Sequence, residues 1–303
     1  MQKIIHYFYD DVDIWKRNSA PTFRMCYASW LKFCPDYEIK LWHVGMPEFQ
    51  EILKQSKFVR ECYKRKMWAF IADYIRHYAL YHYGGIYLDT DVQILKNFDD
   101  FLDKSFFCSI EGDIYKGHNI VESAVIGGEK GHIFFKEMLD IYNSDEIFKI
   151  NYLIDPIVLS EYLNKKCGFK IIPYRNDEYF NLYVSEYSKK DYGALTNYEL
   201  YLNQTIFKDI ETGAEIYPSE YFCPSWSSFG EKAFTDKTVA IHWNQSSWWK
   251  GSTKKIRELN AFRYKNPIMR WFYVNSLYIF KLIILLTPDK KTRKKLRNYI
   301  TKN

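Results

Sequence analysis

The chain has 303 residues, of which 47% are hydrophobic and 26% charged, enough to build and bury one substantial core. Its formal charge of +6 sits at one end. Residues 287–303 hold seven basic side chains (Lys290, Lys291, Arg293, Lys294, Lys295, Arg297, Lys302) against Asp289, which leaves the remainder neutral and excludes the general basic surface of a nucleic-acid binder.

In chain order, residues 3–8 read as a strand, 22–33 as a helix, 38–42 as a strand and 46–54 as a helix. From Val59 to Tyr83 there is neither Gly nor Pro. Met67, Trp68, Ile71, Ala72, Ile75, Tyr78, Ala79 and His82 recur at three- and four-residue steps, so this stretch reads as one long helix. Gly84 and Gly85 supply its stop, because glycine tolerates the left-handed backbone found there. A strand is predicted at 86–88, with further strands at 106–110 and 124–126 and helices at 134–143 and 156–164. Residues 175–235 are rich in Tyr, Asn, Ser and Lys without a period and are expected to form loops and small strands. Residues 237–241 end in an apolar strand pattern, with His242 at its exit. The alternation implies an α/β fold with a mainly parallel sheet. Ligands in such sheets collect beyond the carboxyl ends of the strands.

That is where Asp89 and Asp91 lie, in His-Tyr-Gly-Gly-Ile-Tyr-Leu-Asp-Thr-Asp-Val at 82–92. In an extended backbone, residues i and i+2 point to one side, so the two carboxylates can converge on one hard divalent cation. A cation held by so few protein ligands keeps positions open for phosphate oxygens. An isolated Asp-x-Asp is weak evidence; the flanking helix and glycines give this one its weight. Asp73 and Arg76, three residues apart, share one side of the long helix. They form either a surface ion pair or a pair aimed at the Asp89 site. His242 is either a structural residue at a strand end or a neutral imidazole ligand for a Mn²⁺-like metal.

The six cysteines, at 26, 34, 62, 108, 167 and 223, include no Cys-x-x-Cys pair. They fit neither a zinc ribbon nor a disulfide framework and are expected to be buried as small hydrophobes. Aromatic residues reach 19% and are assigned mainly to the core. Residues 268–286 approach the length of a membrane span but contain Arg270, Asn275 and Lys281. Together with the basic residues after them, they suggest a helix on an anionic membrane surface, or an amphipathic helix docked on the body of the protein. The opening MQKIIHYFYDD carries no apolar leader, so the expected location is cytoplasmic, peripheral on the inner face of the membrane.

The segment WAFIADYIRHYALYHYGGIYLDTDVQIL resembles the central motif of the glycosyltransferases with a sugar-binding DXD motif, and of glycosyltransferase family 32 in particular. That family includes bacterial capsule enzymes and fungal mannosyltransferases, with the clostridial glucosylating toxins as distant relatives. KIIHYFYD at 3–10, SWLKFCPDYEIKLW at 29–42, IGGEKGH at 126–132, IYPSEYFCP at 216–224 and AIHWNQSSW at 240–248 resemble its other landmarks in order. The likeness spans about residues 3–249. It implies a single nucleotide-sugar-binding domain of the GT-A type over 1–260, followed by an amphipathic, basic helical tail over 261–303.

The resemblance also implies roles. Asp73 and Arg76 match the family's DxxR, which contacts the donor sugar and phosphate. Asp89 would touch ribose or sugar and metal, and Asp91 would be the main metal carboxylate. Tyr9 stands where relatives place an aromatic against the base, Tyr87 would pack near the ribose or sugar, and His6 is either the family histidine or a buried hydrogen-bonding residue. His242 would complete the metal set, with Ser247 and Trp248 as diphosphate or sugar contacts; Asn244 departs from the family's usual Trp.

The implied reaction is transfer of a sugar from a nucleotide sugar, with Mn²⁺ or Mg²⁺ and with retention at the anomeric carbon. A UDP-hexose or UDP-N-acetylhexosamine is the favoured donor, a glycan or lipid-linked oligosaccharide the acceptor, and capsular or other surface polysaccharide the product. No nucleic acid is implied. A haloacid-dehalogenase-type phosphatase also uses Asp-x-Asp, but needs Thr or Val where Gln93 stands. A toxin-like protein glycosyltransferase and a non-catalytic glycan-binding protein are the remaining alternatives.

Overall fold

The computed structural model describes residues 1–11, 21–113, 118–150, 154–167, 207–224, 234–245, 252–287, 289, 291–292 and 294–295. Seven strands form the main sheet, in the order β2 (Glu38–Trp42), β1 (Ile4–Phe8), β3 (Gly85–Leu88), β6 (His118–Gly128), β5 (Phe106–Asp113), β8 (Ala214–Tyr217) and β7 (Phe207–Lys208). Strands β1, β2, β3, β5 and β8 run in one direction, while β6 and β7 oppose them. The mainly parallel α/β architecture is as the sequence predicts. A separate antiparallel pair joins β4 (Val92–Ile94) to β9 (Ala240–His242).

Side-chain alternation sorts the sheet into two core layers. Ile5 and Tyr7 of β1 and Ile86 and Leu88 of β3 enter the layer containing α1 (Pro21–Phe33), whereas Phe8 and Tyr87 enter the opposite one. That opposite layer is built from α2 (Pro47–Gln55), α3 (Lys57–Lys64), α4 (Trp68–Tyr83), α5 (Ile133–Asn143) and α6 (Asp155–Cys167). Five of the six cysteines are buried and all are free, in keeping with their reading as small hydrophobes.

The long helix expected from Val59 onward is two helices. The chain breaks at Arg65–Lys66, where Lys66 takes a positive φ of 53° and the Arg65 and Lys66 amides fold back to the Cys62 and Tyr63 carbonyls. Uninterrupted apolar spacing concealed this break, because a three-residue turn can preserve the facing of the stripe. The Gly84–Gly85 stop lies where expected, but Gly84 (φ 69°, ψ −176°) is in a region open essentially to glycine alone rather than in the left-handed helical one. A Cβ on Gly85 (φ +101°) would stand 2.6 Å from the Ile4 carbonyl oxygen, so the β1–β3 contact needs glycine here.

Beyond the sheet, α7 (Ser252–Asn260), the short helix Ala261–Arg263 and α8 (Pro267–Leu286) succeed one another. Arg257 donates to the Tyr273 carbonyl (2.6 Å) and to Ser276 Oγ (2.7 Å), fastening one side of α8. Ile268, Met269, Trp271, Phe272, Leu285 and Leu286 of α8 are exposed. Among the described residues, no helix is long and apolar enough to cross a membrane.

Candidate active site

Strand β3 leads into a turn. The Asp89 amide donates to the Ala124 carbonyl of β6 (2.9 Å), and the Asp89 carbonyl accepts from the Val92 amide (3.0 Å). The two carboxylates therefore converge across a hydrogen-bonded β-turn, not along the extended backbone assumed from the sequence. Helix α1 anchors β4, the strand beyond the turn. Trp30 Nε1 donates to the Val92 carbonyl (2.7 Å) and the Ile94 amide donates to Ser29 Oγ (2.8 Å).

Pairing of β4 with β9 places His242 opposite Val92. The segment after β9 then clasps the turn. The Trp243 amide donates to the Asp91 carbonyl (3.0 Å), and the Gln245 amide donates to Asp91 Oδ2 (2.8 Å). Asn244, at φ 50°, turns the chain so that both amides reach one residue. His242 Nε2 lies 3.4 Å from Asp91 Oδ1, and its Nδ1 lies 3.2 Å from Glu122 Oε2. One ligand atom from each of Asp89, Asp91 and His242 falls within 4.8 Å of the others. Two carboxylates and one imidazole suit Mn²⁺ or Mg²⁺, with the imidazole leaning toward the former.

The electrostatics fit a cation. Burial works to raise Asp91, but the neighbouring His242 and the Gln245 amide bring its carboxyl down to about 2. Burial works against a charged His242, yet Glu122 and Asp91 on its two sides hold its pKa well above the ordinary histidine value. Burial raises Asp89, with Arg76 and His242 offsetting only part of that. A cation held at this point would take the place of the proton that the carboxylates recruit onto His242. A neighbouring group, Glu122, Cys223 and His242, is less suited to metal, because burial pushes the Cys223 thiol up to about 12 and away from thiolate.

Behind the turn lies a second, buried cluster. Arg76, only 3% exposed, donates through Nη2 to Asp73 Oδ1 (2.9 Å) and Asp89 Oδ1 (3.2 Å) and through Nη1 to Ser123 Oγ. Its guanidinium stands over the Tyr87 ring at 5.1 Å. Asp155, at the start of α6 and wholly buried, lies 3.6 Å from Arg76 Nη1. Asp155 Oδ1 meets His77 Nε2 (2.7 Å) and the Tyr142 hydroxyl (2.9 Å). The Asp155 amide donates to Asp73 Oδ2 (3.3 Å). One guanidinium thus faces three carboxyls. Burial, with Asp155 and Asp89 adding to it, drives Asp73 well upward. Asp155 is held down against burial by His77 and Arg76.

Asp73, Arg76, Asp89, Asp91 and His242 are therefore brought into one contiguous set. The surface ion-pair alternative for Asp73 and Arg76 does not describe them, since both are buried. Tyr9 comes just after β1 at the same end of the sheet, half-buried, with its ring tilted against that of Phe23 at 6.2 Å. Tyr87 is buried beneath Arg76. His6 is fully buried, donating from Nε2 to the Gly84 carbonyl (2.9 Å) and accepting from Trp42 Nε1 (3.2 Å). Burial lowers its pKa to about 4, so it is a neutral structural histidine. Ser247 and Trp248 lie outside the described residues. Sequence reasoning missed Glu122, Ser123, His77 and Asp155. The available signal was an acid and a serine inside the apolar run Val121–Ile126, because a charge buried in a strand needs a partner.

Residues 21–107 match the family model described as "Glycosyltransferase sugar-binding region containing DXD motif". Over that stretch the chain is similar to a glycosyltransferase sugar-binding region. That similarity marks it as a transferase enzyme, with Asp89-Thr90-Asp91 as its DXD motif. No curated protein matches the chain.

Solved glycosyltransferase structures are similar to it at low identity. The PaToxG glycosyltransferase is 15% identical, with 61% of this chain and 75% of that one covered and a TM-score of 0.43. The galactosyltransferase LgtC, solved with donor and acceptor sugar analogues, is 16% identical over 87% of this chain and 97% of that one, with a TM-score of 0.33. The apo form of the glycosyltransferase GlyE of Streptococcus pneumoniae TIGR4 is 10% identical, covering 91% and 63%, at a TM-score of 0.35.

Proposed function

We propose that this enzyme is a retaining, metal-dependent glycosyltransferase of the family 32 kind, moving a hexose or N-acetylhexosamine from a UDP-sugar to a glycan acceptor in surface or capsular polysaccharide synthesis. The observation that carries this reading is the meeting of the DXD turn with His242, within 4.8 Å and next to the buried Arg76 network. Asp89, Asp91 and His242 are the residues that would hold Mn²⁺ or Mg²⁺, which when bound neutralises charge on the departing diphosphate.

The chain's own residues set up the transfer. Arg76 fixes Asp89 and adds positive potential behind it, a preorganised electrostatic contribution of the kind that often dominates catalysis. Asp73, held by Arg76 and by the Asp155 amide, would meet the sugar from the inner side of the site, and Tyr87 supports it from beneath Arg76. Tyr9 packs against the base, and Ser247 and Trp248 contact the diphosphate or sugar. The anomeric carbon–phosphate oxygen bond breaks as the acceptor oxygen bonds the same face of that carbon. The acceptor's proton passes to the leaving diphosphate.

The supporting experiment is hydrolysis and transfer across a panel of UDP- and GDP-sugars, with Mn²⁺, with EDTA and with Asp91→Asn. Metal-dependent turnover of one donor with retained anomeric configuration, lost in the variant, supports the reading. An inverted product refutes the retaining mechanism, and no nucleotide-sugar binding refutes the donor assignment.

The tail, residues 261–303, belongs to the same proposal. The exposed Ile268, Met269, Trp271 and Phe272 of α8, with the exposed Lys291, Lys294 and Lys295 beyond them, suit the interface of an anionic bilayer on the cytoplasmic side. Sedimentation with phosphatidylglycerol vesicles, lost for Trp271→Ser with Phe272→Ser and absent with phosphatidylcholine, is the expected result.

A further inference from the structure

Glu122 is a buried acid in the middle of β6, 1% exposed, and nothing in the proposed transfer uses it. Both of its oxygens are committed. Oε1 accepts from the Ala124 amide (2.5 Å), and Oε2 faces His242 Nδ1 (3.2 Å). Ala124 is the same residue whose carbonyl holds the Asp89 amide, so Glu122 and the DXD turn share one rigid anchor on β6.

A carboxylate only accepts hydrogen bonds, and its counterpart at His242 must therefore be Nδ1–H. Asn244 Nδ2 also approaches Nδ1, at 3.3 Å, and would impose the opposite tautomer if it donated there; it is directed as well at Glu111 Oε1 (3.2 Å). Leaving a buried carboxylate unpaired costs more than leaving an amide hydrogen shared, so Glu122 decides the tautomer. Nδ1 keeps its proton toward Glu122, so Nε2, 3.4 Å from Asp91 Oδ1, is the nitrogen that gives up its proton and turns its lone pair to the cation site when a metal binds.

We propose that Glu122 is a positioning residue that fixes the orientation and Nδ1–H tautomer of His242, so that Nε2 is presented as a metal ligand. This rests on the reading of Asp89, Asp91 and His242 as the metal set. Outer carboxylates of this kind typically contribute about 10- to 100-fold to metal affinity.

The geometry gives an unusual expectation for the isosteric variant. Glu122→Gln must place its amide NH₂ against either the Ala124 N–H or His242 Nδ1. The Ala124 amide can only donate, so the NH₂ turns to Nδ1 and forces the proton onto Nε2, blocking the ligand. The experiment is Mn²⁺ titration of the full-length protein, free manganese being followed by electron paramagnetic resonance, with thermal melting run in parallel. Glu122→Gln should fold and weaken Mn²⁺ binding by about 10- to 100-fold, at least as much as Glu122→Ala. In a His242→Ala background, Glu122→Gln should change nothing further.

Parental Mn²⁺ affinity in Glu122→Gln, while His242→Ala is weakened, overturns the inference and leaves the metal set intact. An unchanged affinity in His242→Ala itself overturns the metal set. If Glu122→Ala fails to fold, Glu122→Gln alone decides. A merely structural Glu122 would lower the melting temperature without this dependence on His242.

Discussion

Two ionisable clusters meet at Asp89, and they differ in what their charges face. Behind the turn, Asp73, Arg76 and Asp155 lie at 10% side-chain exposure or less and are bonded to one another, to Ser123, His77 and Tyr142. In front of it, Asp89 and Asp91 retain side-chain exposures of 29% and 18% beside His242. The inner cluster is bonded mainly to protein partners, with Arg76 Nε, His77 Nδ1 and Asp155 Oδ2 making no hydrogen bond among the described residues. The outer one gathers carboxylates around a single histidine and is left with affinity for something positive. The same residue types thus serve shape in one place and binding in the other, and burial decides which.

The largest effect should come from the outer cluster. Asp91→Asn is expected to cut kcat/KM about 100- to 1,000-fold, the scale of removing a key electrostatic stabiliser, with a smaller loss of stability in urea unfolding than Arg76→Ala shows. An equal loss of stability would erase the distinction between the clusters. Arg76→Ala should show the reverse emphasis in stability. It leaves Asp73 and Asp155 buried without their cation, and chemical denaturation should register about 3–5 kcal/mol of destabilisation. A native-like midpoint would mean that the inner carboxyls simply protonate.

A pH series sharpens the contrast. The folded-state pKa of His242 is raised, so without metal its pairing stabilises the fold fully below about 6.5, and that contribution is lost as pH rises through the folded-state value. The depressed Asp91, at about 2, contributes above about 3.8 and loses its effect as pH falls through 2. Metal competes with the His242 proton, so Mn²⁺ affinity should climb with pH. A flat Mn²⁺ profile in calorimetry would remove His242 from the ligand set. Smallest of all, Ser123→Ala removes one hydrogen bond from a charged donor and should cost about 1.5–3 kcal/mol, less than Arg76→Ala, with Mn²⁺ binding unaltered.

Much of the architecture was legible because it is local. The short apolar run of Ile4–Phe8, the helical stripe through Ile71 and Ile75, and the Gly84–Gly85 stop each encode structure within a few residues. The Asp89/Asp91 pair was legible for the same reason. The pairing of β4 with β9 was not, since each strand is three residues long and the register Val92↔His242 depends on tertiary contacts. Glu122 was hidden inside an apolar strand, and Asp155 beside a proline that signals only a helix start. Strand β8 fell in a stretch without a period, though Ala214–Tyr217 is entirely buried.

The clasp over the DXD turn has a mechanical meaning as well. Asp91 and the Gln245 amide that grips it are 154 positions apart in the chain. An ion shared by Asp91 and His242 would act as a reversible cross-link closing a very long loop, the situation in which restricting the unfolded chain has most to offer. Manganese at about 100 times its dissociation constant should then add about 2.7 kcal/mol to unfolding. A thermal melt with and without chelator would read the catalytic centre directly, before any sugar or acceptor is known.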